Sequence, residues 1–401
     1  MGDATSSTPQ ATAGTSKSLT ALGLGGFVIL GLPDGMWGTA WPAMRTTFHQ
    51  PLSSLGLILL CATAGGLVTS LGTGASIRRF GVGRQLAAAG LLAAVGGTLL
   101  ATAAVWAMVL VGAVLVGAAA GLLDTGLNTV IALAGRLRLL NMLHGAYGVG
   151  SALGPLVVTV AILATSWRSA YVLLIALELA LAYGWWRTRS HWDPANADTD
   201  AEAEPVDVRS DDEPTRHVGA LIALGVATFF FYTGLEVTAG QWAASFFRGP
   251  LHLTAGSTGP AVFVYWGSLT VARFAVAIPR RTPSPNLLIR IGCVGGLLAS
   301  ALIWWAPSIG VVLIAFAVLG ATLAPVFPAL VTLTPIRIGA RRAQHAIGWQ
   351  IAAATVGASG LSAIAGVILQ HAGLLRLGPC LAAIALAMVA CIVASELLSR
   401  R

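Results

Sequence analysis

Charge is what this chain has least of. Fifteen acidic and 23 basic residues in 401 make up 9% of the sequence, against about a quarter in soluble globular domains, which excludes a water-exposed surface wrapped around one dry core. Cysteine is scarce too. The four, Cys61, Cys293, Cys380 and Cys391, lie inside apolar stretches without paired spacing, which argues against a zinc or redox framework and leaves them as small core residues. Residues 1–17 are rich in Ser, Thr and Ala and lack an apolar core, so they read as a disordered cytosolic tail rather than a cleaved leader. A net charge of +8 invites nucleic acid as a partner, but the Arg residues come a few per loop and form no single basic face, which excludes it.

What remains is apolar: 56% of residues, in runs of about 20, the length of helix that crosses a bilayer. Twelve such runs are expected, at 18–44, 52–77, 84–105, 107–133, 141–166, 169–188, 217–246, 256–279, 285–305, 308–334, 343–370 and 374–397. The fold class is therefore an all-α membrane protein. The 48 glycines fit it, because helices in lipid associate through small residues that let backbones approach; Gly65, Gly66, Gly72 and Gly74 are expected to form one such face.

A cytoplasmic N-terminus places eighteen of the 23 basic residues on the inner side, a strong positive-inside bias that fixes an even helix count. Both termini are then cytoplasmic, in the cell (inner or plasma) membrane. The break at 189–216 holds nine of the fifteen acids and reads as a solvated linker. It divides a six-helix half at 18–188 from a second at 217–401. The halves repeat: Asp34 matches Glu236, Gly38 matches Gly240, and Arg78 and Arg79 match Arg280 and Arg281 at an offset of 202, with His144 and His345 201 apart. Six helices per repeat imply two bundles related by an axis along the membrane normal, with a cavity between them.

Asp34, Asp124 and Glu236 lie inside spans, where an ionised carboxylate is costly and usually marks an ion or solute path. Any one of them is also explained as a packing acid satisfied by polar neighbours; three together favour transport. Asp34 follows Pro33 and precedes Gly35, a weak point in the first helix that leaves carbonyls free, or simply a kink. Asp124 and Asn128 are four apart and share a face, suiting sugar hydroxyls or a proton, or merely each other. His144, Tyr147, Gly148 and Ser151 form one stripe in the fifth helix, and His345, Gly348, Trp349 and Ala352 a corresponding one in the eleventh, with Gln350 adjacent. Either histidine also suits an interfacial anchor. In the seventh helix Glu236 and Gly240 share a side with Gln241 and Trp242 beside them and Tyr232 a turn earlier, a set suited to stacking on a sugar ring or to an interfacial belt. Arg273 needs a partner, with Glu236 the nearest by helix order, and its role is read as structural or gating. Glu178 carries no motif.

These residues resemble the major facilitator superfamily and, more narrowly, the fucose permease type of sugar:proton symporter over nearly the whole chain. The resemblance rests on Gly121-Leu122-Leu123-Asp124-Thr125-Gly126-Leu127-Asn128, on Leu140-Asn141-Met142-Leu143-His144 after it, and on Asp34 where that family carries its first-helix acid. It implies that Asp34 and Asp124 are the proton- and sugar-linked carboxylates. This chain departs by an Asp in place of the permease's fourth-helix Glu, and by His144 and Tyr147 in place of Gln and Asn. The stretch from Leu323 to Phe327, with Thr334-Pro335-Ile336-Arg337, is similar to glucose and mannose symporters of the same group. The superfamily's loop motif survives as Gly74 to Arg84 without its acid, keeping Arg78, Arg79 and Arg84 as gating candidates.

The expected activity is proton-coupled symport of a sugar or similar polyhydroxylated solute by a monomer in the bilayer, with Asp34, Asp124 and Glu236 as proton-coupling acids. Enzyme chemistry, cofactors and metals are not required. An efflux antiporter of the same fold is the alternative, because Gly150-Ser151-Ala152-Leu153-Gly154-Pro155 partly matches an antiporter pattern; a polar cavity with Asp124, Asn128, His144, Gln241 and Gln350 favours the sugar.

Overall fold

A backbone crossing lipid must satisfy its own polar groups, and helices do so within one segment. The computed structural model describes residues 10–133, 137–192, 217–277, 283–305 and 308–399, which are helical apart from short connections and contain no strand. The first half comprises α1 (Gln10–Thr47), α2 (Leu55–Phe80), α3 (Val82–Ala101), α4 (Trp106–Leu133), α5 (Leu137–Ala164) and α6 (Arg168–Arg187). The second comprises α7 (Val218–Arg248), α8 (Ala255–Ala277), α9 (Pro285–Trp305), α10 (Ile309–Leu323), α11 (Val326–Ile338), α12 (Ala340–Ala372) and α13 (Leu377–Ser399). Pro325, which lacks an amide hydrogen, caps α11 where α10 ends, so α10 and α11 are one broken crossing.

Of the twelve crossings, eleven are long and apolar enough to span a membrane. The exception is α8, diluted by Arg273 and by Ser, Thr and Gly. Helix α1 begins at Gln10, so residues 10–17 of the expected tail are helical, and Arg189–His191 at the start of the expected linker form a short 3-10 turn. Residues 1–9 and 193–216, together with Arg280 and Arg281, lie outside the described residues.

The two halves pack alike. Helix α1 lies on α5, α4 on α2 and α3, and α6 on α3; correspondingly α7 lies on α12, α10 on α8 and α9, and α13 on α9. Glycines set these contacts: a methyl group on Gly31 or Gly35 would strike the carbonyl of Tyr147 or Ser151, and one on Gly150 would strike that of Val28. Gly65 and Gly66 pack on α4 as expected, whereas Gly72 faces open space and Gly74 only Arg78.

The contact register corrects one expectation. Gly150 meets Val28 as Gly357 meets Phe230, and Gly154 meets Leu32 as Leu361 meets Gly234. Val28 and Phe230 are 202 apart, but Gly150 and Gly357 are 207 apart. The counterpart of His144 on α12 is therefore Ile351, not His345, and the two histidine stripes are not equivalent.

The halves meet along α1/α7, α5/α8 and α2/α12. The α5/α8 seam is closed over its length, by Gly145 against Phe274, Gly148 against Thr270 and Gly259 against Thr159. The α2/α12 seam closes at one end only, where Gly56 meets Ala363 and the Leu52 amide donates to Gln370. Toward the other end Leu71 is 89% and Trp349 68% exposed, and Gly348 has nothing near it.

Candidate functional site

The site is built where α1 and α7 cross. Pro33 cannot donate to the Ile29 carbonyl, and Gly35 adds no side chain, so α1 is weakest beside Asp34. The Tyr147 hydroxyl, brought close by the α1/α5 glycine contacts, donates to Asp34 Oδ2. From the other half, Gln241 Nε2 donates to the Asp34 main-chain carbonyl at 2.8 Å. Gly38 permits this approach, because a Cβ there would collide with the Gln241 backbone.

One turn separates Tyr232 from Glu236 on α7, so they share a face, and the Tyr232 hydroxyl donates to Glu236 Oε2. Arg273 of α8 donates to Glu236 Oε1 at 3.1 Å, with the two side chains 21% and 12% exposed. The Tyr265 hydroxyl donates to the Glu236 main-chain carbonyl at 2.7 Å. Asp34 lies within the field of Glu236, and Tyr147 within the fields of both Glu236 and Arg273. The two carboxylates thus face each other across the seam, Asp34 bonded to Tyr147 and Glu236 to Tyr232 and Arg273. The pairing of Arg273 with Glu236 expected from helix order is present, which places Arg273 at this centre.

Asp124 is not part of that cluster. Its Oδ1 accepts from Asn128 Nδ2 at 3.0 Å, and among the described residues it has no other hydrogen-bond or ionic partner. His144 meets the Phe27 ring edge-on at 5.8 Å and senses the charge of Arg273, on the rim of the cluster.

Other expected contacts are enclosed instead. Gln241 is 1% exposed and serves as a tie between halves. Trp242 is 0% exposed and its Nε1 donates to the Ser362 carbonyl at 2.9 Å, so it joins α7 to α12 and offers no ring face to a solute here. Gln350, 4% exposed, accepts from Thr334 at 3.1 Å in a small cavity with Thr228 and Arg337, away from Asp34. His345 lies on the exposed face of α12. Arg78, Arg79 and Arg84 are exposed, with Arg79 over the Phe80 ring at 5.2 Å, and form no ion pair among the described residues. The Cys side chains are all free, and no group of three potential metal ligands occurs among the described residues.

The Major Facilitator Superfamily model matches residues 23–362. The chain belongs to this superfamily. Its architecture is that of a D-xylose–proton symporter at 16% identity and a TM-score of 0.70, covering 92% of this chain and 96% of that one. An E. coli fucose:proton symporter, at 15% identity and 0.60, covers 94% and 98%. A peptide transporter of the POT type, at 14% and 0.71, covers 95% of each. Among curated proteins, none matches the chain in sequence.

Within the superfamily fold, Tyr232, read in the sequence as a stacking surface for a sugar ring, donates to Glu236 instead, and Tyr265 joins the site without having been singled out. The i, i+4 spacing of Tyr232 and Glu236 was a usable signal; nothing local in the sequence ties Tyr265 to the Glu236 carbonyl 29 residues away.

Proposed function

We propose that the chain is a secondary active transporter that couples a proton to symport of a sugar or similar polyhydroxylated solute, its two halves rocking about the α1/α7 crossing. The observation that carries this reading is the pair of carboxylates, Asp34 and Glu236, contributed by opposite halves, the first bonded to Tyr147 and the second to Arg273. Rocking separates these helices and changes how closely the two carboxylates face each other, so the cost of leaving either ionised depends on conformation. A proton taken up on one side and released on the other answers that change. One charge moved across about 100 mV is worth about 2.3 kcal/mol, enough for a useful solute gradient.

Asp124 and Asn128 supply an acceptor and an amide for solute hydroxyls, with Tyr147 and His144 toward the same half. Arg78, Arg79 and Arg84 belong to the proposed cytoplasmic face and set topology or gate there. An organic anion is less favoured as the solute because Glu236 already neutralises Arg273.

Uptake of labelled sugars by proteoliposomes under an imposed pH gradient is the test. Wild type should accumulate solute and Asp34→Asn should catalyse only downhill exchange. Undiminished proton-driven accumulation by that variant overturns the assignment, and extrusion of solute against an inward proton gradient favours the antiporter.

A further inference from the structure

The first half holds another acid, which the transport site does not use. Glu178 on α6 is 5% exposed, its Oε2 is enclosed without a partner, and no hydrogen bond or ion pair reaches its side chain among the described residues. It lines a small cavity, large enough for a water molecule, with Pro33 of α1, Ala89 and Ala93 of α3, and Ala119 and Leu123 of α4. None of the lining side chains other than Glu178 can titrate. Asp34 and Asp124 follow Pro33 and Leu123 in the chain, but they turn to Tyr147 and Asn128. Of the other titratable groups on α6, Tyr171 is buried two turns away, Tyr183 and Arg187 are exposed, and Arg168 stands at the far end of the helix.

An ionised carboxylate without a cation in such a pocket carries a desolvation cost that neutralisation removes. A structural role does not require an acid at all: α13, the counterpart of α6, fills its buried middle with Leu381, Ile384, Ala385 and Met388. Pro33 also leaves the Ile29 carbonyl without a helical donor on this side of α1. A neutral carboxyl, unlike a carboxylate, brings an O–H that one water can relay to it.

We propose that Glu178 is a second proton-binding site, a neutral acid set behind the segments that carry Asp34 and Asp124. It keeps its proton while α1, α3, α4 and α6 pack as seen and yields it to water when α1 or α4 draws away. The site binds a proton and nothing larger, and it stands whichever solute is carried.

Infrared difference spectroscopy of the full chain in lipid tests it. A protonated-carboxyl band should persist at neutral pH, vanish in Glu178→Gln and remain in Asp34→Asn. Thermal unfolding gives a second readout. Unfolding releases the proton, so wild type should lose stability relative to Glu178→Gln as pH rises from 5 to 7, by about tenfold in the unfolding constant per pH unit. Absence of the band in wild type at neutral pH, its survival in Glu178→Gln, or a stability difference that does not move with pH overturns the proposal.

Discussion

Replacing Arg273 with Gln leaves Glu236 facing Asp34 without a counter-charge. At 3.1 Å the pair attracts by about 5 kcal/mol for an effective dielectric of about 20, part of which offsets the desolvation of both groups. Removing one partner of such a buried pair costs about 3–5 kcal/mol. Adding Glu236→Gln should restore most of the stability, since no charge is then stranded. Thermal unfolding of wild type, both single variants and the double variant measures this directly. A double variant no more stable than Arg273→Gln refutes the view that Arg273 and Glu236 form a coupled buried pair.

Tyr147→Phe removes the hydroxyl that donates to Asp34, a loss of about 1.5–3 kcal/mol for a charged hydrogen bond, and should shift the pH profile of uptake in proteoliposomes. Gln241→Leu removes the side-chain donor that ties α7 to the Asp34 carbonyl and should lower stability by about 0.5–1.5 kcal/mol in thermal unfolding; Gly38→Ala should do so through the collision with the Gln241 backbone. In a background with the four cysteines replaced by Ser, a charged maleimide should label cysteine introduced at Trp349 but not at Thr270, because the first borders the splayed part of the α2/α12 seam. Labelling of both or neither contradicts a water-filled gap on that side.

The fold was legible because lipid forces a simple code: length and hydropathy mark helices, and the match of Asp34 to Glu236 marks the repeat. Legibility ended where register depended on loops. His144 and His345 share an offset close to that of the acids, but α12 is shifted by the connections before it, so contact with α7 falls to Gly357 and Leu361. The Arg273 and Glu236 pair was readable, since a guanidinium in a span has few choices of partner. Trp242, Gln241 and Gln350 were not, because a polar or aromatic residue at a given height reads the same whether it faces a cavity or ties two helices together. Only packing distinguishes the cases, and here Ser362, Asp34 and Thr334 take up their donors or acceptors.

The pseudo-two-fold relation carries α5/α8 onto α12/α2, yet the two seams differ. A rigid pair of halves rocking about their common axis would open both at the same end. Here Phe274 and Thr270 fill the glycine positions of α5 at that end, while α2 and α12 diverge past Gly56 and Ala363. In this conformation the halves therefore touch along α5/α8 and part at α2/α12, so the gap between them is asymmetric. The Gln241 tie to Asp34 lies between these lines, so the proposed rocking would have to break it wherever it parts α1 from α7. Because that tie ends on the main chain of Asp34, whose carboxylate faces Tyr147 and the field of Glu236, the groove cannot change shape without disturbing the group on which proton coupling is proposed to rest. Under the proposed symport, solute access and protonation would then meet at one residue, with no relay of side chains between distant sites needed to link them.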